Sequence, residues 1–212
     1  MKKKLILMGV AAALVTTAFI GGSLAYFQAD GQEVRQQINT PELSIDLMDE
    51  TTGEKAAKSY TFDDAMPGAS IDLENKLVVK NTGNTPLYTR VTVTKSWGDG
   101  TGEAFEKDFE GESGKIAVTP EEGWYVMENT DGNEENLYLY YRYPVEAGTS
   151  TASILKALEI SEDLGNRYTD KAVQLSVDAD AVQVSSAEDA ILAEWGVFPT
   201  FDEEGTIISI EE

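Results

Sequence analysis

Apolar and polar residues alternate along much of this chain. Leu43, Ile45 and Leu47 fall on one face of an extended backbone, with Ser44 and Asp46 on the other; this period of two marks a half-buried strand. Ile71–Leu73 and Leu77–Lys80 continue the pattern after the turn signal Pro67-Gly68. Past the turn-forming run Asn81–Pro86, Leu87, Thr89, Val91 and Val93 alternate with Tyr88, Arg90, Thr92 and Thr94. Trp124–Met127 and Leu137–Tyr143 are β-prone runs on either side of Asp131-Gly132, a favoured turn pair, and are expected to form a hairpin ended by Pro144. Val173, Leu175, Val177, Ala179 and Ala181 give a late strand. One segment has helical spacing, Ser186–Gly196: Ser186 is placed to cap with Asp189 three residues on, Ile191, Leu192 and Trp195 share a face, and Gly196 stops it. About eight short antiparallel strands with one small helix near the C-terminus predict an all-β fold, an antiparallel β-sandwich of jelly-roll type.

The N-terminus follows a different pattern. Lys2-Lys3-Lys4 precede Leu5–Ile20, sixteen residues without a charge, and Gly21–Ala25 then interrupt the run. This is the order of a secretory signal, with Ser23 and Ala25 as the small residues before the cut and Tyr26 as the mature N-terminus. The expected organisation is a signal peptide over 1–25, a flexible segment over 26–40 and a sandwich domain over 41–212. The Gly-rich, acidic stretch 98–115 is read as a long surface loop of that domain. Membrane contact is expected only through the transient signal peptide.

Composition narrows the chemistry. The chain has 212 residues with no Cys and no His, which removes thiolate and imidazole catalysis, disulfides and Cys- or His-ligated metals. Thirty-eight acidic against sixteen basic residues give a net charge of −22, so the surface repels nucleic acid. Calcium is the cofactor to weigh, because Asp131, Asn133 and Glu134, and separately Asp99 with Glu103, gather hard oxygen ligands. Neither group has EF-hand spacing, and solvated turns are the simpler reading. Ser153 and Lys156 fit a Ser-x-x-Lys spacing but lack the companion motifs of that acyl-transfer class. Trp97, Trp124 and the Tyr-rich run 137–143 are read either as core or as a carbohydrate-stacking face.

The junction Gly21-Gly22-Ser23-Leu24-Ala25-Tyr26-Phe27 followed by Asp30 resembles the signal-peptide ending of the TasA/camelysin family, with Gln28 and Ala29 standing where that family has Thr and Asp. Pro67-Gly68, Ile71–Lys80, Asn81-Thr82-Gly83-Asn84 leading into Tyr88–Val91, Tyr141–Thr151 and Leu175–Gln183 resemble the family's core strands in the same order. The resemblance implies a protein exported from a Gram-positive bacterium, cut by a signal peptidase of SipW type, and built into extracellular matrix fibres with itself or with sister proteins. It also implies assembly by strand addition, for which Leu43, Ile45 and Leu47 are the expected donated strand. The other readings are a monomeric adhesin or carbohydrate-binding module and a camelysin-like metallopeptidase; the absence of His speaks against the peptidase. The expectation is a noncatalytic structural protein.

Overall fold

The computed structural model describes residues 42–63, 65–73, 76–101, 104–128 and 134–212. Among these residues the chain forms an antiparallel β-sandwich with one α-helix near the C-terminus, as the alternation predicts. The strands are β1 (Ile45–Asp49), β2 (Glu54–Lys55), β3 (Ser59–Phe62), β4 (Ser70–Asp72), β5 (Leu77–Asn81), β6 (Leu87–Asp99) and β7 (Glu106–Lys107). They continue with β8 (Ile116–Pro120), β9 (Trp124–Glu128), β10 (Asn136–Tyr141), β11 (Leu155–Ile160), β12 (Ala172–Gln183), β13 (Phe198–Phe201) and β14 (Ile207–Glu211), with α1 (Ala187–Trp195) between the last three.

One layer has the order β3-β12-β6-β10-β9, with β7 folded back on the far end of β6. The other consists of β2-β1-β5 and β4-β11-β8. These two pieces join because the chain leading into β11 pairs first with β5, through Thr151 N–H to the Val79 carbonyl and Ile154 N–H to the Leu77 carbonyl, and then with β4. Early and late strands interleave in both layers, β3 beside β12 and β4 and β5 beside the β11 chain, which is the jelly-roll arrangement. The principal core lies between the layers and takes Val91, Val93 and Trp97 from β6, Leu137 and Leu139 from β10, and Val173, Leu175 and Val177 from β12. Facing them are Leu77, Val79, Ile116, Leu158 and Ile160. Each buried aliphatic side chain of this kind contributes about 1.5–3 kcal/mol to folding.

A second, smaller core explains the run LYLYYRY, in which apolar and aromatic residues occupy both faces of one strand. Leu137 and Leu139 point into the sandwich, while Tyr138 and Tyr140 point outward and are covered by α1 and the β13–β14 hairpin together with Tyr88, Val182, Ile191, Trp195, Ile207 and Ile210. Arg90 is pinned in this outer layer. Its guanidinium bonds Asp180 at 2.9 Å and lies 5.5 Å from the Tyr138 ring and 5.4 Å from the Trp195 ring, a cation–π arrangement. Desolvation raises the Tyr140 hydroxyl above its ordinary pKa, and the nearby Arg90 only partly offsets this.

Three details differ from the expected pattern. Ser186 does not cap α1 with its side chain; it sits in the left-handed region at φ 58° and supplies its carbonyl to the Ala190 N–H. Gly196 does end the helix, at φ 72°, where a side chain is disfavoured. Leu192 lies outside the buried stripe of Ile191 and Trp195 and is 40% exposed. The 98–115 stretch is also more than a surface excursion. It folds back through β7, the Trp97 indole donates to the Glu112 carbonyl at 3.1 Å, and Ser113 is buried.

Candidate assembly surface

The site begins with a strand that runs out of neighbours. β12 pairs with β6 along its whole length, from Ala172↔Gly98 to Gln183↔Leu87. On its other side it pairs with β3 only from Val173↔Phe62 to Ser176↔Ser59, and one more bond joins the Val177 N–H to the Lys58 carbonyl. Among the described residues no strand is paired with it from Asp178 to Gln183, although β1 approaches within 8 Å of β12. Six residues of extended chain span about 20 Å. Because Val177 directs its N–H to this side and neighbours alternate, Ala179 and Ala181 present their backbone groups there as well. Such an edge is a template for another chain.

Beside this edge is a groove of about 270 Å³ between the layers. Its floor is apolar: Ile45 and Leu47 from β1, Ala56 from the crossover, and Val177 and Ala179 from β12. Its rim carries two ion pairs, one from the end of β2 and one from the crossover that joins β2 to β3. Lys55 reaches Asp46 on the β1 bank and Lys58 reaches Asp178 on the β12 bank, each at 2.7 Å. Asp178 raises the pKa of Lys58, first through the hydrogen bond and then through its charge. Beyond the crossover a second hollow of about 240 Å³ is lined by Tyr60, Phe62, Asp72, Leu73, Leu77, Leu155 and Leu175. Burial, and then the charge of Asp49, push the Tyr60 hydroxyl above its usual pKa.

The expected donated strand is not left over in the single chain. Ile45 and Leu47 pack against the chain's own principal core, and β1 pairs with β5 over five residues, Ile45↔Asn81 to Asp49↔Leu77. Leu43, just before it, is 44% exposed. The lead-in is fastened by the Thr82 and Gly83 N–H groups to the Ser44 carbonyl, by Ser44 Oγ to Thr82 Oγ1 at 2.9 Å, and by the Glu42 N–H to Asn84 Oδ1. A Cβ at Gly83 would sit 2.1 Å from the Glu42 carbonyl oxygen, so only glycine permits this approach. The main-chain ladder to β5 thus holds Leu43–Leu47 in the subunit's own fold, as one bank of a groove. The signal-cleavage residues Ser23, Ala25 and Tyr26 and the segment 26–40 lie outside the described residues.

The remaining candidates are dispersed. Asp131, Asn133 and Glu103 lie outside the described residues, Glu134 is exposed, and Asp99 is paired with Lys171 at 2.6 Å. Among the described residues there is no group of three or more acids placed to hold a metal ion. Trp97 and Trp124 are core residues. Trp97 packs on Tyr168 with ring centroids 4.6 Å apart, and Trp124 donates its indole N–H to the Ser153 carbonyl at 2.9 Å. Ser153 and Lys156 lie at the entry to strand β11, not on the helix that a Ser-x-x-Lys pairing uses. The groove residues that alternation does not mark are Lys55, Ala56 and Lys58. Their short segment EKAAK shows no alternation, and that break is the only signal of a crossover between layers. No protein-family model, no curated protein and no solved structure matches the chain.

Proposed function

We propose that this is a secreted, noncatalytic structural protein of the TasA type, a subunit of extracellular matrix or surface fibres that assembles by adding a strand of one copy to the sheet of the next. The observation that carries the reading is the unpaired stretch Asp178–Gln183 of β12 above an apolar groove. A contact in which one surface of a subunit meets a different surface of the next does not close on itself and generates filaments. The sequence resemblance at the signal junction and through the core strands supports the same reading. With β1 engaged by β5, the donated segment is sought before it, in 26–40, which lies outside the described residues.

The test is electron microscopy of protein starting at Tyr26 beside protein starting at Pro41. Filaments from the first and folded monomers from the second are expected. Monomers from both across salt and pH would overturn the fibre reading, and filaments from both would move the donated strand elsewhere.

A further inference from the structure

The groove differs from the rest of the molecule in charge. A chain beginning at Tyr26 keeps all thirty-eight acids and loses three lysines, for a net charge of −25. Two such copies repel one another over most orientations, the more so at low salt. The groove's charged lining is Asp46, Lys55, Lys58 and Asp178, which sums to zero. Both lysines come from one four-residue segment, and each reaches a carboxylate on a different bank. The Lys side chains are 74% and 81% exposed, and ion pairs this exposed contribute little to folding, about 0–1 kcal/mol. Stability is therefore a weak account of them, whereas local neutralisation beside an open edge has a use. The second hollow lacks this balance, carrying Asp72 without a basic residue in its lining.

We propose that Lys55 and Lys58 form a charge-neutral landing site that admits a second copy of this acidic chain at the β12 edge. This rests on the fibre reading above and assigns the residues that permit it. The occupant is an extended segment of another copy. Complementarity here consists of removing like-charge repulsion at an apolar groove where a strand has an edge to join, which governs encounter rate more than final affinity.

The experiment follows filament growth of the mature chain by light scattering across salt concentration. K55E/K58E leaves the edge and the apolar floor intact and makes the groove's lining charge −4 in place of zero. Its growth at low salt is expected to fall by about tenfold or more and to recover partly at about 1 M salt, where charge is screened within a few ångströms. The exchanged variant D46K/K55E/K58E/D178K keeps the lining neutral and should grow within about twofold of the wild type. Circular dichroism melting confirms that each variant folds, and should the double variant fail to fold, K58E alone, with a lining charge of −2, against the exchanged variant repeats the comparison. Growth of folded K55E/K58E at the wild-type rate with the same salt dependence overturns this inference and leaves the fibre reading intact. A wild type that never assembles overturns both.

Discussion

The two halves of β12 share one alternation and meet different surroundings. From Val173 to Ser176 the strand is flanked by β6 and β3, and its inward residues Val173 and Leu175 are buried, Val173 opposite Trp97 in the β6 register. From Asp178 to Gln183 it has β6 on one side and, among the described residues, no paired strand on the other, and its inward residue Ala179 lines a groove whose far bank is β1. The period of two is the same in both halves, because it reports only which face of the strand is buried. Side-chain size carries the further information. Larger aliphatics stand where β3 is paired alongside, and alanines stand where, among the described residues, no strand is paired.

The covered half breaks most severely when its largest side chain is removed. Trp97→Ala deletes a fully buried indole together with its bond to Glu112 and its packing on Tyr168. Loss of about 3–5 kcal/mol of stability is expected by urea denaturation. An unchanged midpoint would mean that the 98–115 stretch does not seal this end of the core.

A smaller effect sharpens the same comparison through pH. Asp108 tethers the folded-back stretch by accepting two bonds from Arg167, at 2.9 and 3.0 Å, with Lys171 3.5 Å away. The Arg167 bond first, and then the Glu110 N–H, lower its carboxyl below the usual range, against a small opposing effect of burial. A lowered carboxylate stabilises the fold above its unfolded pKa of about 4, and the contribution is lost as pH falls through the lower folded value. Melting temperatures of wild type and Asp108→Asn should therefore differ near neutrality and converge as pH falls through the lowered folded value. A difference that persists unchanged into acid would remove the tether from the account. Lys58, on the open half, has the opposite sign, since its raised pKa keeps its pair with Asp178 intact until strongly alkaline conditions.

Legibility in the sequence followed the same physical division. Strands with one buried face, such as Leu87–Thr94 and Val173–Ala181, were readable from alternation alone, and so was the glycine stop of α1. The β9–β10 pairing was readable from two β-prone runs around a turn. The outer layer was not. Tyr138 and Tyr140 are apolar on the side where a simple sandwich faces water, and only the C-terminal helix and hairpin explain them. β3, β8 and the β13–β14 hairpin are four or five residues long, too short for a period to stand out. At the candidate site, β1 and β12 were visible as strands, but an unpaired edge is a property of the backbone's neighbours and leaves no mark in side-chain pattern. The Leu43–Leu47 strand reads as a piece free to leave because neither its pairing with β5 nor the close approach of its lead-in to Gly83 leaves a mark in the alternation.

The central claim is that the backbone of β12 past Val177 waits for a partner, and amide hydrogen exchange reads that backbone directly. In the monomer the Ala179 and Ala181 amides should exchange quickly, while Val173 and Leu175, held between two strands, exchange slowly. In filaments Ala179 and Ala181 should become as protected as their covered counterparts. Protection at Ala179 and Ala181 that is already high in the monomer, or that does not change on assembly, would contradict the account.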